Sequence, residues 1–280
     1  MKIRPLLRSA NIQIKAELRH NLTGTGALNV LFNPLLMLAG IWFFVPSDST
    51  TLGYSMRTFV LAGTVGACSL LVIYNLVSET YQDRINGTLL RVRTLPHGSL
   101  SWIAAKTASA VIVAWLIALI FLIVAVTFME GVKISAGKIV VALLISLLSI
   151  SASTPLGFIA GALAKDVFTQ LFAFVVLVAA FITSGAFIPL TSLPTWLQAT
   201  QQALPFYWAG HITRWALLGE NAAGLELSGS YHPALAVAIL AAWAIIGSLI
   251  AVAVIRRSFL QQTLSALENA RSKLMNQVGI

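Results

Sequence analysis

Residues 107–129 read TASAVIVAWLIALIFLIVAVTFM, twenty-three positions without an Asp, Glu, Lys, Arg or His. A helix rises about 1.5 Å per residue and a bilayer core is about 30 Å thick, so about 20 apolar residues make one crossing. In water such a helix would have no polar face to turn to solvent. The stretch therefore predicts a membrane span. Working outward, five more uncharged runs of similar length follow the same logic: 28–46, 58–78, 139–164, 167–189 and 233–255. They predict an all-α membrane protein with a six-span transmembrane domain over 27–255. A lead-in segment (1–26) precedes it and a tail (256–280) follows. The first run begins too late and is too long for a cleaved signal peptide.

Composition agrees. Of 280 residues 58% are apolar and 10% charged, against about 45–50% and about 25% in soluble domains. The single cysteine, Cys68, excludes an internal disulfide and Cys-rich metal sites, and reads as a small buried apolar residue within a membrane helix.

The net charge of +9 would fit a nucleic-acid partner, but its placement argues for topology. Fourteen of the eighteen Lys and Arg fall on one side of the alternating spans: the segment before residue 20, the loop with Arg84, Arg91, Arg93 and Lys106, then Lys165 and the tail. The other side holds Arg57, Lys133, Lys138 and Arg214, balanced by Asp48, Glu130, Glu220 and Glu226. Basic residues are retained on the cytoplasmic face, so both termini are predicted cytoplasmic, with the excess charge inside and none outside. No nucleic-acid partner is expected.

Residues 3–22 place Ile3, Leu7, Ala10, Ile14 and Leu18 on one helical stripe beside Arg4, Arg8, Lys15 and Arg19. This predicts a basic amphipathic helix, seated in the lipid headgroup boundary or packed on a partner. The most informative stretch between spans is Glu79–Lys106, ETYQDRINGTLLRVRTLPHGSLSWIAAK. Asn86-Gly87 signals a turn, residues 88–93 make a short helix, and Pro96 and Gly98 stop it. Such a helix projecting into the cytoplasm fits a docking surface, and equally a solvated basic loop that enforces topology. On the other side, 189–231 is broken by proline too often to span, and Trp196, Trp208, Trp215 and Tyr207 suit short helices dipping into the outer interface.

Within the spans, Pro155 predicts a kink in the fourth helix, and Gly157 and Gly161 permit close helix approach. Tyr74 and Asn75 in the second span, with Thr183, Ser184 and Phe187 at the end of the fifth, are candidates for a substrate path. The polar ones among them also fit interhelical hydrogen bonding. No span carries a carboxylate or histidine of the kind that ion-coupled carriers use. No phosphate-binding GxxxxGK[ST] loop, GxSxG motif or paired acids for catalysis occur. No catalytic residue, metal site or bound cofactor is expected, and any ATP would be used by another subunit.

Asp83-Arg84, Gly87-Thr88-Leu89, Arg91, Arg93, Leu95-Pro96 and Lys106 together resemble the signature loop of type II ABC exporter permeases, in particular the daunorubicin-resistance-like branch. A second similarity lies in Ser184-Gly185-Ala186-Phe187-Ile188-Pro189-Leu190, Leu193-Pro194-Trp196-Leu197, Leu204-Pro205 and Arg214 before Leu218-Gly219. Leu90 departs from the pattern, standing where many members carry an acidic residue. The resemblance implies a coupling helix docking on a separate cytosolic ATPase that holds ATP and Mg, through Glu79, Asp83, Gly87, Thr88, Leu89, Arg91, Arg93 and Pro96. It further implies re-entrant external helices before the sixth span, two ATPase copies, a second permease copy and a prokaryotic plasma membrane. The expected role is export of an amphipathic drug, lipid or lipid-linked molecule. Export of a surface polysaccharide, or a channel or scaffold without ATP coupling, are the alternatives.

Overall fold

In the computed structural model the described residues are 3–46, 50–51, 54–94, 98–128, 135–164 and 166–261. They form helices almost throughout. The order is α1 (Ile3–Leu22), α2 (Thr25–Phe44), α3 (Met56–Ala67), α4 (Ser69–Ile85), α5 (Thr88–Arg93), α6 (Gly98–Phe128), α7 (Ala136–Leu163), α8 (Val167–Phe181), α9 (Thr195–Ala203), α10 (Pro205–Leu218), α11 (Pro233–Ala242) and α12 (Ser248–Gln261). Among the described residues the only extended pairing joins Thr50–Thr51 to Tyr54–Ser55 between α2 and α3.

Five helical segments are long and apolar enough to cross a membrane: Thr25–Phe44, Gly98–Phe128, Ala136–Leu163, Val167–Ala186 and Pro233–Arg257. Helices α3 and α4, bent by 45° with respect to each other, supply a sixth as one broken span. The protein is an all-α membrane protein.

Three spans differ in detail from the sequence-based expectation. The second breaks at Cys68, a buried residue closing α3. There α3 runs against α10 backbone to backbone: a Cβ on Gly66 would lie 2.2 Å from the Ala209 carbonyl oxygen, so only glycine fits. The third span belongs to a helix that begins at Gly98, which brings Lys106 inside it. The fifth gives way to a π-turn, Ile182–Ala186, with Gly185 at φ 86°.

Helices α4 and α7 meet along glycines. A Cβ on Gly157 would come within 2.9 Å of Leu76 Cβ, and one on Gly161 within 2.8 Å of Thr80 Cβ, so the GxxxG spacing is the seat of this pair. Helix α7 continues as one helix through Pro155. Thr154 and Ser151 hydroxyls donate to the Ile150 and Leu147 carbonyls, each at 2.8 Å. Phe59, Ile73, Leu76, Phe121, Ile150, Phe158 and Phe206 fill the core. Leu31, Phe32, Leu35 and Leu36 of α2, with Phe168, Leu171, Phe172 and Val175 of α8, stay exposed, as lipid-facing side chains do.

Two elements read as surface helices also pack on the protein itself. The α1 stripe packs on the α6 side of the protein itself: Ala10 is buried and Leu18 touches the cluster of Val113 and Ile117. The side chains before Ser9 lie outside the described residues. Helix α10 packs inside the protein, with all of it except Trp215 buried. Tyr207 and Trp208 are core residues, and of the tryptophans read as interfacial anchors only Trp196 is exposed.

Candidate functional site

The α4–α5 corner is built by one glycine. Gly87 sits at φ 71°, ψ 13°, a left-handed conformation that costs glycine little and other residues about 1–2 kcal/mol. It turns the chain from α4 into α5. Leu89 and Val92 then face the core, while Arg91 is exposed and donates from Nη2 to the Asn86 carbonyl at 3.1 Å. Thr88 is half-buried. The Arg93 side chain and Pro96 lie outside the described residues.

Glu79 and Asp83, one turn apart on α4, both reach Lys106 of α6. Its Nζ lies 2.9 Å from Glu17 Oε1, 3.1 Å from Glu79 Oε2 and 3.3 Å from Asp83 Oδ2, with the lysine side chain 6% exposed. Trp102 Nε1 donates to Asp83 Oδ2 at 2.9 Å. Burial disfavours the lysine charge, and the carboxylates of Glu79, Asp83 and Glu17 around it offset that cost. This network ties α1, α4 and α6 at the root of α5. Arg84 adds a fourth helix: it donates to the carbonyls of Ala162, at 2.7 Å, and Ala164, satisfying the C-terminal end of α7. These contacts link the root of α5 to α1, α6 and the end of α7. Sequence reasoning found the acidic residues and Lys106 but not their inward pairing with Glu17.

At the other end of the bundle lies a centre that charge counting missed. Arg214 Nε donates to Glu226 Oε1 at 2.7 Å, and its Nη1 donates to the Gly185 carbonyl at 3.0 Å. The guanidinium carbon sits 4.8 Å from the centre of the Phe59 ring. The His232 backbone N–H donates to His211 Nε2 at 3.0 Å, so the ring carries its proton on Nδ1 and donates it to Glu226 Oε2 at 2.7 Å. The Tyr207 hydroxyl adds a second bond to that oxygen, the third to the carboxylate, at 3.2 Å. Burial alone would raise Glu226, but Arg214 and the His211 hydrogen bond hold it down to about 2. A lone arginine in the apolar stretch 205–218 was the available signal, since a buried guanidinium needs a carboxylate.

The candidate path residues fall into two groups that no described contact joins. Tyr74 is 48% exposed, its ring 5.1 Å from Phe174 of α8, with Asn75 half-buried beside it. Thr183 accepts a 2.6 Å hydrogen bond from Gln201 Nε2, and the buried Ser184 hydroxyl donates to the Phe181 carbonyl at 2.7 Å. Phe187 stacks edge-on with Phe181 and lines an apolar cavity of about 460 Å³ with Met37, Ile41, Met56 and Thr64. Among the described residues no cluster of His, Cys, Asp and Glu fits a metal ion.

Residues 23–218 match the family described as ABC-2 type transporter. A comparison with curated proteins gives no match.

Proposed function

Because the chain belongs to the ABC-2 type transporter family, we propose that it is the permease of an ATP-driven exporter in which α5 is the coupling helix. The family makes it a multi-pass membrane protein and the permease subunit of an ABC transporter, associated with an ABC ATPase. The finer reading adds two cytosolic ATPases carrying ATP and Mg, a second permease copy, and a prokaryotic plasma membrane with both termini inside. The observation that carries it is the α5 corner: a short helix set at the end of α4 by Gly87 and rooted through Glu79, Asp83 and Lys106 in three helices. ATPase closure against Arg91 and its neighbours would tilt α4 and α6 together and switch access between the permeases. The apolar cavity beside Phe187 supports an amphipathic drug, lipid or lipid-linked substrate.

Purification of the complex, followed by ATP-driven transport in vesicles, tests this. Gly87→Val is expected to abolish transport while membrane insertion and ATPase activity of the partner persist. Unchanged transport in that variant, or conduction without any ATPase, overturns the reading.

A further inference from the structure

Between α2, α3 and α6 lies a crevice of about 410 Å³ lined by Leu35, Leu38, Trp42, Leu61, Val124 and Phe128, together with Arg57. Its size falls within the range of ligand pockets, about 300–1,000 Å³. Leu35 is 50% exposed and Phe128 is exposed too, so the crevice opens onto the apolar flank. Arg57 lies 4.2 Å from the centre of the Trp42 ring, which meets Phe128 edge-on at 5.3 Å. Arg57 Nη2 donates to the Trp42 and Val45 carbonyls, each at 3.2 Å, and so caps the end of α2.

Capping uses Nη2 alone. Nε is buried without a partner, and among the described residues Nη1 has none. A guanidinium with uncommitted donors, set in an apolar slot where the chain leaves its span, matches a molecule with an anionic head and an apolar tail. Guanidinium forks suit phosphate oxygens, and the Trp42 face strengthens the cation's hold on the site.

We propose that this crevice binds one phospholipid of net negative charge, its phosphate on Arg57 and an acyl chain along α2 between α3 and α6. A zwitterionic lipid offers the same phosphate with an offsetting cation and binds more weakly.

The test is native mass spectrometry of the full-length permease with its ATPase, titrated with phosphatidylglycerol or phosphatidylcholine of matched chains. The wild-type complex is expected to retain one more tightly held phosphatidylglycerol per permease than Arg57→Gln, with at least tenfold preference over phosphatidylcholine at that site. Arg57→Lys keeps part of the preference. Leu35→Trp, on the exposed flank, fills the mouth and weakens retention at least fivefold. Inorganic phosphate at millimolar concentration displaces nothing. Equal retention in Arg57→Gln, displacement by inorganic phosphate, or undiminished binding in Leu35→Trp overturns the proposal. The last variant leaves the α2 cap in place, so it decides even if Arg57→Gln fails to fold.

Discussion

Arg214 Nε lies 2.7 Å from Glu226 Oε1, with each side chain 1% exposed. A buried ion pair holds only when every remaining donor and acceptor is satisfied, because desolvation costs several kcal/mol per ion. Here the carboxylate also receives His211 and Tyr207, and the guanidinium also reaches Gly185 and Phe59. One pair therefore fixes α10, the segment before α11, the π-turn ending the fifth span, and α3.

Breaking this pair from one side strands a buried charge. Glu226→Gln and Arg214→Met are each expected to destabilise by about 3–5 kcal/mol. The double variant Arg214→Met/Glu226→Gln should recover much of that loss, since neither charge remains. Thermal unfolding of the four proteins in detergent, followed by tryptophan fluorescence, closes the cycle. Additive losses would show that the two residues act independently.

The same carboxylate sets an acid limit. Its pKa falls on folding from 4.5 to about 2. The stabilisation is therefore complete above 4.5 and lost as pH falls from 4.5 toward 2, amounting to roughly 3 kcal/mol at about 1.4 kcal/mol per unit. The melting temperature should stay level from pH 7 to 5 and drop below 4.5. Glu226→Gln should start lower and show a shallower drop.

The six uncharged runs were readable because bilayer thickness imposes a length on the sequence itself. The break at Cys68 was not, because residues 58–78 are evenly apolar and the break lies where α3 meets α10 at Gly66, a tertiary cause. Helix α10 read as interfacial from its tryptophans and prolines. Its burial accompanies pairing with Glu226, which lies in a loop of unremarkable pattern, and no local periodicity announces such a partner. The α5 helix was legible from Asn86-Gly87 at its start. The inward turn of Glu79 and Asp83 was not, since a solvated basic loop and a network around Lys106 share one composition.

Glycine positions divide by what surrounds them. At Gly161 a methyl group would meet Thr80 Cβ at 2.8 Å and the Leu76 carbonyl oxygen at 3.2 Å. Gly161→Ala is expected to cost about 1–3 kcal/mol by forcing α4 and α7 apart. At Gly40, also within a helix, nothing lies within 4 Å, so Gly40→Ala should stabilise by about 0.4–1 kcal/mol. Opposite shifts in melting temperature check the pair. Equal shifts would remove the GxxxG seat as the cause.

Lys106 and Glu17 separate holding the fold from passing motion to the spans. Lys106→Met leaves three carboxylates facing one another in a half-buried site, with an expected loss of about 3–5 kcal/mol. Glu17→Gln removes only the α1 tie and leaves the lysine with Glu79 and Asp83. Its stability cost should stay below about 1 kcal/mol. If α1 moves with α4 and α6 when α5 is pushed, Glu17→Gln should nonetheless reduce ATP-driven transport several-fold, with the melting temperature nearly unchanged. Lys106→Met combined with Glu79→Gln and Asp83→Asn should regain stability without regaining transport. Full transport in Glu17→Gln would confine coupling to α4 and α6 and leave α1 a passive anchor.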